Sequence, residues 1–343
     1  YSHGSNLAVN RELNYIPREC VRSDNGNPCL IDLATANSAT LIADITAANT
    51  YLNANVPNPF RTLVPESATW NSANIQRRRL LTPFPQFGNV GVTEYNGSSD
   101  FHSFQFQVVK RFTKGLSLNG GYTYSREHLQ TQYLNPQDTE LTDFISPNER
   151  PHRFTFSGIY ELPFGKGRQW GNDWHPVVDG ILGGWQVQGL YEWQSGEPLL
   201  LPNVYYNGDP SSLKSLLGKK DSQGRRYGVD IPAFDTTGFY IGSTAPGVAN
   251  NFASSSAVTL RNFPLTVDGM RNQRFLKFDV GISKNFRIRE GMKIQIRMDA
   301  INLLNTPYFS APNLTPSSST FGFTTAPVRQ PPRDIQLGGR FTF

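Results

Sequence analysis

From residue 101 the chain alternates apolar and polar positions with a period of two. Phe104, Phe106 and Val108 alternate with Gln105, Gln107 and Val109. After the short turn Thr113-Lys114-Gly115, Leu116, Leu118, Gly120, Tyr122 and Tyr124 alternate with Ser117, Asn119, Gly121, Thr123 and Ser125. Successive side chains of a strand point to opposite faces, so this pattern predicts a hairpin with one apolar and one polar face. The unit recurs: Phe154, Phe156, Gly158, Tyr160 and Leu162, then Trp185, Val187, Gly189, Tyr191 and Trp193. A third hairpin sets Leu276, Phe278, Val280 and Ile282 before Ile294, Ile296, Met298 and Ala300. The last strand carries Ile335, Leu337, Gly339, Phe341 and Phe343. The predicted strands are 101–112, 116–125, 150–162, 184–194, 275–286, 292–303 and 334–343.

The connections alternate as well. Those at 113–115, 163–183 and 287–291 are short or moderate. Those at 126–149, 195–274 and 304–333 are long and rich in Pro, Ser, Asn and Gly. Short turns at one end and long loops at the other are the arrangement of a transmembrane β-barrel. With the short turns in the periplasm, strand parity sends 101–112 inward and leaves the C-terminus periplasmic. Residues 1–100 then read as the outer end of a truncated strand (Tyr1 to Ser5), a long extracellular loop and a loop hairpin. In that hairpin, Phe87 to Tyr95 forms one arm and turns at Asn96-Gly97-Ser98-Ser99. Ala43 to Leu52 is expected to hold a short helix.

Composition fits this picture. Charged residues are 17%, against about 25% in ordinary soluble domains, while aromatics reach 12%. No run of ~18 apolar residues exists, which leaves a barrel as the way to span a membrane. The net charge of +5 comes without a basic stripe interleaved with aromatics, so nucleic acid is not implied. Arg77-Arg78-Arg79 reads as a solvated loop. Cys20 and Cys29 flank an Asn25-Gly26 turn signal, which suits a disulfide in an oxidising compartment.

No catalytic or metal chemistry emerges, and no cofactor is called for. His3, His102, His128, His152 and His175 are scattered without ligand spacing. Gly165-Lys166-Gly167 lacks phosphate-loop spacing and follows a strand into a turn. Ser195-Gly196 lacks a nucleophile elbow. Glu192, Lys293, Arg297, Asp299 and Arg340 fall on the polar face, expected to line a lumen, either as a substrate path or as salt bridges across neighbouring strands. These charges and the loop asymmetry favour an all-β, antiparallel transmembrane β-barrel over a soluble sandwich.

A family resemblance rests on motifs in order. They are Asn148-Glu149-Arg150-Pro151-His152-Arg153-Phe154, Glu161-Leu162-Pro163-Phe164-Gly165-Lys166-Gly167, Gly183-Gly184-Trp185-Gln186-Val187 and Gln194-Ser195-Gly196-Glu197-Pro198. Asp279 to Phe286, Ala300-Ile301-Asn302-Leu303-Leu304-Asn305-Thr306-Pro307 and Gln336-Leu337-Gly338-Gly339-Arg340-Phe341-Thr342-Phe343 complete the set. Over residues 77–343 this resembles the barrel of TonB-dependent receptors of the Oar-like, Acidobacteria type. The resemblance implies the C-terminal part of a 22-stranded barrel in the bacterial outer membrane, embedded in lipid. It implies partners outside this sequence: N-terminal barrel strands, a plug domain and the TonB complex. It also implies uptake of an unidentified ligand. Phe341 and Phe343 resemble the C-terminal signal read by the barrel-assembly machinery. Linker 195–274 is the longest after residue 100 and the first choice for ligand contact. The competing expectation is a self-contained eight-stranded barrel, with Tyr1 to Ser5 paired to 334–343 and a structural or adhesive role. A barrel enzyme has no catalytic constellation behind it.

Overall fold

The computed structural model describes residues 1–20, 29–37, 39–239, 258–289, 291–326 and 330–343. One antiparallel sheet forms a wall. Its strands are β1 (Ser2–Glu12), β2 (Gly91–Thr113), β3 (Leu116–Gln130), β4 (His152–Glu161), β5 (Trp185–Gln194), β6 (Phe275–Arg289), β7 (Met292–Ile301) and β8 (Asp334–Thr342). They are hydrogen-bonded in chain order, and a short strand, Phe144–Ile145, adds to β3. β1 and β8 do not pair, so the closed eight-stranded barrel is not the structure formed, and the sheet is an open barrel wall.

Register confirms the two faces. Phe106, Tyr122, Phe154, Trp193 and Leu276 follow one another across five strands as opposed pairs. Further along the same face Ile282, Met298 and Leu337 form another such row. Directly opposed residues share a face, so one surface is predominantly apolar, with Lys110 and Lys284 among its charged positions. Phe106 is 58% and Leu337 79% exposed. Large apolar side chains left open across a whole sheet face are what a wall bathed in lipid requires.

The short ends come from turn chemistry. Lys114 and Gly115 both have positive φ, 51° and 79°, which is the two-residue hairpin turn matched to strand twist. The β4–β5 connection holds helix α3 (Pro176–Leu182); helices α1 (Leu41–Asn53) and α2 (Arg77–Leu80) belong to the β1–β2 linker. α1 contains the helix expected at 43–52. α2 turns the arginine run, expected as loop, into a helical turn. There Arg77 stacks on Tyr51 at 4.1 Å and donates to its carbonyl oxygen at 2.9 Å.

Two sequence expectations are corrected. The hairpin with a turn at Asn96-Gly97-Ser98-Ser99 does not exist, because these residues lie inside the single 23-residue strand β2. Gly97 serves a close approach between strands: a Cβ there would meet Leu7 O at 3.0 Å on one side and Gln130 O at 3.1 Å on the other. The stub at Tyr1 to Ser5 is instead the 11-residue β1, running antiparallel to the first half of β2 from Ser2 opposite Phe101 to Glu12 opposite Gly91. At ~3.3 Å per residue β2 extends about 75 Å, well beyond a hydrocarbon core of ~30 Å. β2 is therefore far longer than a membrane crossing needs.

The buried core sits in the long linkers, outside the sheet. Leu41, Ile45, Ala48 and Leu52, at helical spacing on α1, close one cluster with Leu30, Ile31, Val258 and Leu260. Ile31–Asp32 pairs in parallel with Thr259–Leu260, joining the 13–90 and 195–274 linkers. A second cluster packs Phe234, Phe239, Phe263 and Met270 with Phe309 and Phe321 of the 302–333 linker. Its rings meet edge to face, Phe239 and Phe321 at 5.3 Å and Phe234 and Phe321 at 5.4 Å, contacts worth about 0.5–1.5 kcal/mol each beyond burial. The loops are thus a packed cap at one end of the wall.

Candidate functional site

The second face of the wall is polar and concave. A cleft of about 530 Å³ opens on it, lined by Asn119, Ser157, Gln188, Asp279, Arg297 and Gln336, one from each strand from β3 to β8. Six neighbouring strands enclose a cleft on one surface only if they curl toward it. Side chains on this face bond across strands: Gln107 Nε2 donates to Asn119 Oδ1 at 3.2 Å, and Gln295 Nε2 to Asn285 Oδ1 at 3.1 Å.

All five charged residues singled out in the sequence lie on this face by register. Glu192 stands between Thr155 and Lys277, and Asp299 between Gly281 and Gln336. Arg297 stands between Ser283 and Gly338, Lys293 between Arg287 and Thr342, and Arg340 opposite Gln295. Glu192 pairs with Arg153 of β4 at 3.1 Å, and Arg297 Nε with Asp299 Oδ2 at 2.6 Å. Lys277 pairs with Asp279 at 2.8 Å, so positive and negative charge alternate across the face. Lys293 and Arg340 sit nearer the short-turn end and are not gathered with the others. Phe341 lies on the apolar face opposite Ile294, its ring 5.8 Å from that of Phe343. Cys20 and Cys29 are disulfide-bonded, with Cα atoms 5.5 Å apart.

The cap is fastened to the wall by an ionic cluster that sequence reasoning did not single out. The Glu149 side chain is only 1% exposed. Its Oε1 accepts from Arg126 of β3 at 3.2 Å and from Arg271 at 2.7 Å, and its Oε2 from the Glu127 backbone N–H at 2.8 Å. Arg126 and Arg271 both also reach Asp268 Oδ1, at 2.9 and 2.6 Å. Hydrogen bonds from Arg126 and then Arg271 hold the Asp268 carboxyl at about 2, against 3.8 ordinarily. Arg150 pairs with Glu197, which also accepts from Asn272 at 3.2 Å. These groups tie β3 and the 131–151 and 195–274 linkers at one point. The sequence carried no local signal for this cluster, because the arginines around Glu149 come from positions 126 and 271, while the neighbouring Arg150 pairs with Glu197.

Arg261 forms a second pin. Its guanidinium donates to the backbone oxygens of Phe263, Leu201 and Pro264 at 2.7–2.9 Å, with no carboxylate partner among the described residues, and burial pushes it down to about 10. Beside it a pocket of about 590 Å³ opens in the cap, lined by Asn14, Arg78, Arg79, Asn89, Gln137 and Asn203 among others. Gln137 Oε1 and Asn203 Oδ1 are buried there without a hydrogen-bond partner among the described residues. Among the described residues no group of His, Cys, Asp and Glu side chains forms a metal site.

An open wall with one lipid-compatible face, one polar concave face and a loop cap defines an outer-membrane barrel. The outer membrane beta barrel domain family matches residues 2–336, and the chain belongs to it. That membership places the protein in the outer membrane and points to a non-enzymatic role. Among solved structures, it is similar to the outer membrane transporter YddB from Escherichia coli, at 14% identity and a TM-score of 0.34, over 74% of this chain and 27% of that one. It is also similar to FpvA of P. aeruginosa, solved bound to heterologous pyoverdines, at 10% identity and a TM-score of 0.29, over 85% of this chain and 23% of that one. The chain thus spans about a quarter of the length of each of these two proteins. No curated protein sequence matches it.

Proposed function

We propose that this chain is wall and cap of a receptor that imports a ligand in a TonB-dependent manner, of the Oar-like type. Further strands complete the wall, to 22 in all, around a plug. The carrying observation is the two-sided wall: the polar concave face, with Arg153–Glu192, Lys277–Asp279 and Arg297–Asp299, is suited to line a wet lumen. The open edges of β1 and β8 support the added strands, because lipid does not tolerate unpaired backbone. The cap lies on the extracellular side and the C-terminus in the periplasm, where Phe341 and Phe343 serve recognition by the barrel-assembly machinery. Ligand capture falls to the cap pocket, where Gln137 Oε1 and Asn203 Oδ1 await donors and Arg78 and Arg79 offer positive charge.

Orientation is tested by single cysteines in the intact bacterium. A membrane-impermeant maleimide is expected to label Thr62→Cys in whole cells and Lys114→Cys only after the outer membrane is opened; the reverse order rejects the topology. Transport is tested by comparing uptake of spent-medium solutes in cells with and without TonB, each with and without this protein. Accumulation that needs the protein but not TonB rejects the energised mechanism.

A further inference from the structure

Helix α3 is held against the outside of the wall. Two side chains of the apolar face reach its C-terminal end: Trp185 Nε1 donates to Ile181 O at 2.9 Å, and the Lys284 ammonium donates to Gly183 O. Trp185 and Lys284 are opposed neighbours on that face. The lysine also lies over the rings of Trp185 and Phe286, at 5.3 and 5.0 Å. A cation at the carbonyl end of a helix is favourably placed against its dipole, so Lys284 pins the helix to the wall.

The helix wears its amphipathicity inside out. Val177 with Ile181 and Val178 with Leu182 are pairs four residues apart, and together they form one stripe. Their exposures are 63%, 63%, 40% and 49%. The opposite side faces the protein: Asp179 Oδ1 accepts from the Lys166 backbone N–H at 2.7 Å. Gly183 packs so closely that a Cβ on it would lie 3.0 Å from Gly165 Cα. A helix surrounded by water turns its apolar stripe inward; here the stripe is outward. Beside it Phe164 stacks with Trp170 and Trp174, centroids 5.5 and 6.4 Å away. Aromatic rings at one end of a wall, next to an outward apolar stripe continuous with the lipid-facing surface, match the boundary between headgroups and acyl chains.

We propose that α3 is an interfacial lipid-binding element, with Val177, Val178, Ile181 and Leu182 immersed in the phospholipid leaflet at the short-turn end. Phospholipid is favoured over a protein partner because four side chains fall far short of the ~1,000 Å² that a specific protein interface buries. Continuity with the apolar wall supplies the bilayer at that level. The inference needs the membrane-spanning wall and is independent of transport.

The test uses the complete barrel that contains this wall, reconstituted in phospholipid vesicles, with a bimane label on single cysteines introduced at Ile181, at Phe106 as the lipid-facing reference and at Leu63 in the cap as the aqueous reference. Dibrominated phospholipid is expected to remove about half of the emission at Ile181→Cys, as at Phe106→Cys, with dissolved iodide effective only at Leu63→Cys. An Ile181 label that follows Leu63, while Phe106 is quenched by lipid, overturns the proposal. If Phe106 also follows Leu63, the wall is not in the bilayer, and the proposal falls with the wall. Val177→Cys, on the same stripe, gives an equivalent reading where Ile181→Cys does not fold.

Discussion

The wall and the cap use the same residue types in opposite ways. In the wall, Phe104, Phe106 and Leu337 stand open on one face, and no core exists between the strands. In the cap, Phe263 and Phe321 are each only 2% exposed and belong to a closed aromatic cluster. A sheet with lipid on one side and water on the other needs only alternation. A cap standing in water must build an interior from what its linkers carry, and there every methyl group removed leaves a cavity. Residues of similar hydrophobicity therefore do different work, and substitutions separate the two regimes.

The largest contrast comes from one substitution made in both places. Phe263→Ala is expected to lower cap stability by about 3–5 kcal/mol, through lost burial and the cavity left behind. Phe106→Ala leaves no cavity, because lipid fills the space, and is expected to cost about 1–2 kcal/mol. Urea titration of the reconstituted complete barrel, followed by limited proteolysis of the linkers, reads both. Equal losses would erase the distinction between the regions.

Next is the joint between them. Glu149→Ala removes the buried carboxylate shared by Arg126, Arg271 and the Glu127 N–H, leaves both cations to Asp268 alone, and is expected to cost about 1–3 kcal/mol. The loss appears as faster cleavage of the 131–151 and 195–274 linkers, while the heat-resistant mobility of the barrel strands in a gel stays unchanged. Wall unfolding in step with the linkers would show cap and wall to be one cooperative unit.

The two faces of the wall are sharpened by neighbours in β2. Phe106→Arg places a charge on the lipid side and is expected to cost about 2–4 kcal/mol. Gln107→Arg, one residue on and on the polar face, is expected to change folding by less than about 0.5 kcal/mol. Folding into vesicles measured by intrinsic tryptophan emission compares them, and a reversed order would exchange the faces.

The smallest effect is acid sensitivity of the joint. The Asp268 carboxyl is held at about 2 when folded, against 3.8 ordinarily, so the folded state favours its charged form. Its contribution is fully present above about pH 4 and is lost as pH falls toward about 2. Linker protection from acid-active pepsin is expected to fall across that window. Asp268→Asn flattens the response.

Alternation made much of the wall legible. Strands near 116–125, 184–194 and 334–343, their two faces and the asymmetry of their connections all follow from period two and turn chemistry. The polar-face positions of Glu192, Lys293, Arg297, Asp299 and Arg340 follow from the same parity. The misreading at Asn96-Gly97-Ser98-Ser99 is instructive. These are turn-forming residues by local preference, yet β1 and β3 on either side hold them extended, and Gly97 answers to the crowding of two neighbouring backbones. Local preference lost to pairing with partners more than thirty residues away.

The cap was not legible in the same way. Ala43 to Leu52 announces a helix, but nothing nearby tells that its stripe meets Val258 and Leu260. Glu149, Asp268 and Arg271 each look like ordinary loop charges until folding buries the first and brings the other two to it. Secondary structure, facing and membrane class were written in the sequence, because they depend on residues two to four positions apart and on the solvent each face meets. Register, the closing of the cap and the joint that fastens it were decided by tertiary structure, because burial and ion pairing depend on which distant segments share a volume.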